Sequence, residues 1–260
     1  MTEQTDNPVD FLRSSGVSSL TGVISTGSGQ PLEIPGIREI NRFHYNEIPG
    51  FVNTTLLGHG GMLRIVEGSD GTWALWIGRK HFYQGFDYGE ITSYLDISRK
   101  LGADKFLCLN ASGGLTHNLN PGDLVIVEKF RTFISWDGNS VSPDGSPVRE
   151  TSVDLMERLN RAGEKSDNEL KKGMYAGVPG PVYETHAEVN WLRKLGCSLV
   201  GMSTVPELLR GMELEMESIA VALVANVHTH HEELTHEKVV RNSRKGAEEL
   251  NRLISAFLAL

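Results

Sequence analysis

Cysteine, positive charge and long apolar runs are what this chain has least of. Two cysteines, Cys108 and Cys197, stand among 260 residues, each inside an apolar run. So few thiols exclude a disulfide framework and point to buried, reduced side chains in a reducing compartment. Neither has a histidine near it in sequence, which argues against a catalytic thiolate. Lysine and arginine number 25 against 33 acidic residues, for a net charge of −8. A chain of that sign is a poor partner for nucleic acid, and any anion it binds must be held by a local cluster against the overall field. No apolar run approaches the roughly 18 residues a membrane helix needs, and residues 1–6 are polar and acidic. Neither a membrane span nor a signal peptide is expected, and the cytoplasm is the default setting. Internal repeats and linkers are also missing. One domain is therefore expected over residues 21–260, behind a polar, Ser-rich and loosely attached lead-in over 1–20.

What is present is alternation. Hydrophobic residues make up 39% of the chain, enough for a sizeable core. β-prone runs fall at 22–25, 54–57, 62–66, 72–77, 105–109, 124–127, 173–178, 199–200 and 219–227. Helical spacing marks 91–101, 151–162, 185–195, 207–218 and 237–260, several of them stopped by Gly102, Gly163 and Gly196. Residues 133–149 read as a loop. Strands alternating with helices imply an α/β fold, a twisted, mixed central sheet with helices on both faces.

The chain is organised around Gly78-Arg79-Lys80-His81-Phe82-Tyr83-Gln84-Gly85. If the backbone stays extended past Gly78, Arg79, His81 and Tyr83 share one face while Lys80 and Phe82 take the other. A guanidinium, an imidazole and a phenol in a row suit a phosphate beside a sugar; the plain alternative is a charged outer strand face. Three further small-residue loops follow strand ends, near Ser28, Ala111 and Ser203, where backbone N–H groups can approach an anion. Gly27-Ser28-Gly29 is not the dinucleotide fingerprint, because no third glycine is correctly placed. Each loop alone is weak; several converging on one anion are more specific.

Taken together, Gly27-Ser28-Gly29, the 78–85 stretch, Asn110-Ala111-Ser112-Gly113-Gly114-Leu115, Gly122-Asp123, Tyr183-Glu184-Thr185-His186-Ala187-Glu188 and Gly201-Met202-Ser203-Thr204-Val205-Pro206-Glu207 resemble, in order, the trimeric purine nucleoside phosphorylases. The resemblance runs from about residue 21 to the C-terminus. It implies a phosphate site of Ser28, Arg79, His81, the Ala111 backbone and Ser203, with His59 on the same side. It implies a pentose against Tyr83 and Met202, with Tyr183 and His236 near its 5′ end. Glu184 would accept from N1–H of the purine, and Asn226 would face N7 and O6. Asn226, Glu184 and His81 are the implied catalytic groups.

The implied reaction is reversible phosphorolysis of inosine, guanosine or their deoxy forms, with phosphate as co-substrate and no metal or other cofactor. A positioned phosphate dianion supports a cationic sugar; a neutral amide donates to the departing base; an ionised Glu184 rejects a base lacking N1–H. The implied assembly is a homotrimer with no nucleic-acid or membrane partner. A methylthioadenosine phosphorylase, which would want an acid at 226, is the runner-up. A binding protein that lost turnover, and a nucleosidase that uses water, stand behind it.

Plainer roles exist for single residues. Glu184 can be a helix-start acid, Ser203-Thr204 with Glu207 a cap, and Asn226 a satisfied strand end. The tract from His228 to His236 invites a metal, but the resemblance uses only His236, and the other histidines are expected to be solvated. Two departures stand out. Residues 129–150 are shorter than usual in the family, so that neither Phe133 nor Trp136 aligns cleanly with the aromatic that reaches a neighbouring subunit's site. The 207–218 helix is unusually acidic, and Glu213 and Glu217 read as an exposed i,i+4 face.

Overall fold

Gly22–Thr26 (β1) is buried along its whole length, as a strand covered on both faces must be. In the computed structural model, which describes residues 7–27, 32–51, 61–135, 142, 144–228 and 236–260 (for 236–245 the backbone only), β1 runs parallel to Gly71–Ile77 (β4) and Lys105–Gly114 (β5). Beyond β4, Met62–Gly68 (β3) and Glu39–His44 (β2) are added antiparallel. Beyond β5 the sheet closes on itself. Glu217–Val227 (β10) lies parallel to β5 and antiparallel to Leu124–Thr132 (β6). Leu170–Gly177 (β8) runs parallel to β6, Leu199–Gly201 (β9) runs parallel to β8, and β9 returns antiparallel to β5. Arg149–Glu150 (β7) pairs with β6.

Helices cover both faces, most of them with a recognisable start. Asn7 caps Pro8–Ser14 (α1), and Asp87 with Glu90 forms a capping box on Tyr88–Lys100 (α2). Val205–Glu213 (α5) lies on the same side as these two, over Phe106, Cys108, Ala220 and Ala222. Ser152 caps Val153–Ser166 (α3), which packs with His236–Leu258 (α6) over Ile24, Leu107, Ile219 and Val221 on the other side. Thr185 and Glu188 box the start of His186–Lys194 (α4), which covers a smaller core of Leu115, Ala176 and Val200. The two tryptophans of β4 divide between faces. Trp76 meets Tyr45, Phe51 and Tyr94, whereas Trp73 meets Phe257.

The α/β, mixed-sheet expectation holds; the loop expected near Ala111 is instead part of β5, and four further local expectations change. The N-terminal segment is not loose from Pro8 onward: Val9, Leu12, Val17 and Leu20 are all buried in the core. The helix expected to stop at Gly163 continues to Ser166, because Gly163 fits closely against Leu170 and the Asn168 carbonyl. The helix expected over 207–218 ends at Glu213, and Glu217 opens β10. Glu213 instead pairs with Arg210, while Glu217 accepts from Ser152 Oγ, so the two carboxylates do not share a helical face. The strand expected at 54–57 lies outside the described residues.

The fourth change concerns the organising stretch. β4 ends at Ile77, Gly78 turns with φ +105°, and Phe82–Gln84 forms a single 3-10 turn. The extended alternation fails there, because Gly78 adopts a left-handed conformation that a side chain would resist. Lys80 turns inward, donates to the Glu90 carbonyl and lies over the Phe51 ring. Burial pushes its ammonium down to about 8.

Candidate active site

Arg79 is buried where β1, β5 and the start of α5 meet. Nη2 donates to the Leu109 carbonyl at 2.9 Å and to Ser25 Oγ at 3.2 Å, and it lies 3.1 Å from Cys108 Sγ. Nε sits 2.8 Å from Glu207 Oε2. Nη1 is turned the other way, 3.5 Å from Ser203 Oγ and close enough to Gly27 that a Cβ there would stand 3.1 Å from it. Burial opposes the charge; Cys108, Glu207 and Tyr94 outweigh it, and the guanidinium pKa is raised. Two sides of one cation are anchored in the core while the third faces two of the loops expected to hold an anion.

Glu207 is the hub of that anchor. Its carboxylate accepts from Tyr94 OH at 2.7 Å, Ser25 Oγ at 3.4 Å and the Thr204 N–H at 3.2 Å. The cap reading of Thr204 with Glu207 is therefore right but incomplete. Thr204 has φ +72°, rare for a β-branched residue and costing on the order of 1–3 kcal/mol. Complete burial and the Glu207 bond over-determine that conformation.

Aromatic and apolar side chains of three loops lie between this cation and Glu184. The His81 ring stacks on Tyr83 with centroids 4.7 Å apart. A Cβ on Gly180 would stand 2.5 Å from Met202 Sδ and 3.1 Å from the Tyr83 ring. Burial, with the nearby Tyr183 phenol, raises the Tyr83 pKa; burial, with the neighbouring Glu184 carboxylate, raises that of Tyr183. Glu184 Oε2 then lies 3.4 Å from His228 Nε2, and the His228 ring lies against Gly113 at the end of β5. Tyr83, Val182 and Tyr183 are exposed along this path, and Ala111 is the exposed position in an otherwise covered β5.

Protonation states follow from burial. His81 is driven down to about 4 and is neutral near pH 7. Its Nδ1 lies 2.9 Å from Gln84 Oε1, which fixes the N–H on Nδ1 and leaves Nε2 as an acceptor. Glu184 is raised above 4.5, burial leading and Glu188 adding to it. It does not cap α4, since Thr185 and Glu188 do that.

Asn226 pairs with Gly113 in the β10–β5 ladder beside a register shift after Val224. It is 8% exposed, and its Nδ2 has no partner among the described residues, so it is not a satisfied strand end. Asn110 and Ser112 Oγ on β5 are buried without partners in the same sense. Orphaned buried donors next to a cleft mark where a ligand or ordered water completes the bonding.

The structure therefore brings together Arg79, His81, Tyr83, Ala111, Tyr183, Glu184, Met202, Ser203 and Asn226. Ser28, His59 and Trp136 lie outside the described residues, and His236 is placed only as the first residue of α6. Phe133 packs on Trp191 at 4.9 Å between ring centroids, so it is spent within its own chain. Two participants were missed. Glu207 was legible as a cap and not as an ion partner, because Arg79 is 128 positions away. His228 was assigned to solvent but is 6% exposed at its side chain; its place directly after an apolar strand was the signal. Among the described residues no three His, Cys, Asp or Glu side chains gather to hold a metal ion, and no helix is long and apolar enough to cross a membrane.

Comparison with known proteins identifies the family. Residues 23–259 match the phosphorylase superfamily. The purine nucleoside phosphorylase of Mycobacterium tuberculosis is 33% identical over 219 residues, covering 82% of this chain and 79% of that one. Purine nucleoside phosphorylase 1 of Geobacillus stearothermophilus is 28% identical over 243 residues, covering 89% and 88%. Among solved structures, isoform 2 of the Schistosoma mansoni enzyme in complex with cytosine and ribose-1-phosphate superposes with a TM-score of 0.81 at 26% identity, covering 99% of this chain and 96% of that one.

Proposed function

The chain belongs to the phosphorylase superfamily and, within it, to the purine nucleoside phosphorylases, and we propose that it takes 6-oxopurine nucleosides, inosine and guanosine or their deoxy forms, with inorganic phosphate as second substrate. The observation that supports this is that Ser203 lies beside Arg79 Nη1 and that Met202, next in the chain, shares the Gly180 surface with Tyr83. In this reading Arg79 supplies the anion site and Glu184 the base acceptor, with the sugar between them.

In this reading Arg79 Nη1, Ser203, Ser28, the Ala111 backbone and His81 hold phosphate, with His59 at the same side. Charge-assisted bonds fix one phosphate oxygen below C1′ of the sugar. As the C1′–N9 bond breaks, its electron pair passes to the purine and positive charge grows on the sugar, next to the phosphate dianion. The phosphate oxygen then bonds to C1′. Tyr83 and Met202 line the pentose, with Tyr183 and His236 at its 5′ end. Asn226 Nδ2 donates to the charge growing at N7 and O6, and Glu184 accepts from N1–H. No metal and no resident cofactor is needed for these steps.

An amide at 226 argues against the methylthioadenosine reading, since a 6-amino base calls for an acceptor there. The anchored Arg79 argues against a nucleosidase, for which a phosphate site has no use. We further propose a homotrimer acting in the cytoplasm, with no nucleic-acid or membrane partner. The test is release of hypoxanthine from inosine with and without phosphate. Phosphate-dependent release is expected; equal rates in both would remove the proposal.

A further inference from the structure

None of the roles above uses His228, a buried imidazole two residues beyond Asn226. Its N–H donates to the Gly114 carbonyl at 2.9 Å, and its own carbonyl accepts from Arg193 Nη2 at 3.3 Å. The ladder that places Asn226 therefore places His228 as well. The ring occupies space that only a glycine at 113 leaves open, since a Cβ there would stand 2.8 Å from Nε2. The side chain is 6% exposed, and that of Glu184 is 7% exposed. Burial pushes the imidazole down to about 4, with Arg193 and His186 adding to the effect. The ring is thus neutral near pH 7 and carries a single N–H. A carboxylate so buried needs donors, and among the described residues Nε2, 3.4 Å from Glu184 Oε2, is the basic side-chain nitrogen paired with it.

We infer that His228 is a positioning residue for base recognition: through Nε2–H it holds Oε2 of Glu184 and so turns Oε1 toward the N1–H edge of a 6-oxopurine. This rests on the reading of Glu184 as the base acceptor. Held at one oxygen, the carboxylate cannot swing aside for a base that lacks N1–H, so such a base meets an unpaired acceptor. His228 then sharpens selection of 6-oxopurines over 6-aminopurines without touching the substrate. A purely space-filling role would depend on shape alone and would be indifferent to the N–H.

The experiment compares the full-length wild type with His228→Leu, which keeps bulk and removes the donor, and His228→Gln, which restores a donor. KM for inosine should rise about tenfold to a hundredfold in His228→Leu, the range for a lost hydrogen bond to a charged group. KM for phosphate should stay within about twofold, and His228→Gln should recover most of the loss. In a Glu184→Gln background the leucine change should add little, because its effect passes through that carboxylate. An unchanged inosine KM in His228→Leu overturns the inference, as does an equal loss in His228→Gln or a full additional loss in the Glu184→Gln background. Should His228→Leu fail to fold, the glutamine variant and its double with Glu184→Gln decide alone: near-wild-type inosine KM with retained 6-oxopurine preference supports the inference, and a loss that persists in the double overturns it. A wild type that releases no hypoxanthine with phosphate would instead remove the underlying reading.

Discussion

Glu207 Oε2 lies 2.8 Å from Arg79 Nε, with the two side chains 2% and 4% exposed. Neither charge is stable in such a place alone. The carboxylate also receives Tyr94, Ser25 and the Thr204 N–H, so one acid fixes the Arg79 cation and the strained backbone beside Ser203. Removing it strands the cation. Glu207→Ala is expected to destabilise the fold by about 3–5 kcal/mol, the range for breaking one side of a buried pair, read from the midpoint of denaturant unfolding. Stability within about 0.5 kcal/mol of wild type would show that Arg79 keeps itself hydrated.

Gly27 stands against the opposite side of the same guanidinium. A Cβ there would lie 3.1 Å from Nη1, and Nη1 cannot retreat because Nε and Nη2 are held by Glu207, Leu109 and Ser25. Gly27→Ala should therefore raise KM for phosphate, by about tenfold if one charge-assisted bond is lost. KM for inosine should move much less, and steady-state kinetics with each substrate varied in turn separates the two.

The pH dependence has a definite sign. Burial raises the Glu184 pKa above 4.5, and only the ionised form accepts from N1–H. KM for inosine should therefore rise on acidification, starting at a higher pH than an exposed glutamate would give. His81, near 4, stays neutral through this window and does not set the limb. For stability the sign reverses. A carboxyl with a folded pKa above its unfolded one costs stability at neutral pH, and the cost is relieved as pH falls through that folded pKa. Glu184→Gln should thus lose inosine turnover and its acid limb while its melting temperature holds or rises, a separation that thermal unfolding and kinetics on the same sample would check.

Much of this cleft was legible because its parts are local strings. Gly78 to Gly85 and Met202-Ser203 directly follow strands, Tyr183-Glu184 directly precedes the Thr185 cap of α4, and loops beyond strand ends are where ligands gather. The core was legible from the apolar runs of β1, β5 and β10. What was not legible depends on partners far apart in the chain. Arg79 with Glu207, and Glu184 with His228, have no shared period or motif. Short structure was lost too. α1 spans seven residues, and its two buried side chains, Val9 and Leu12, give too little periodicity to stand out from a polar lead-in. The turn after Gly78 broke the expected alternation because a glycine tolerates φ +105°, which the residue pattern does not announce.

Asn226 separates the two phosphorylase readings most directly. Its Nδ2 is buried, unpartnered among the described residues, and placed by the β10–β5 ladder next to Gly113. An amide can donate to N7 and O6 as charge grows there; a carboxylate cannot. Asn226→Asp should lower kcat/KM for inosine by roughly a hundredfold, the effect of removing one donor aimed at developing negative charge. The same acid accepts from a 6-amino group, so the ratio of adenosine to inosine turnover should rise. Asn226→Ala removes donor and acceptor alike and should lower both without changing the ratio much. Inosine kcat/KM in Asn226→Asp within about threefold of wild type would mean that the proton or hydrogen bond reaches the base by another route, and Asn110 or Ser112, the other buried donors without partners on β5, would be the side chains to vary next.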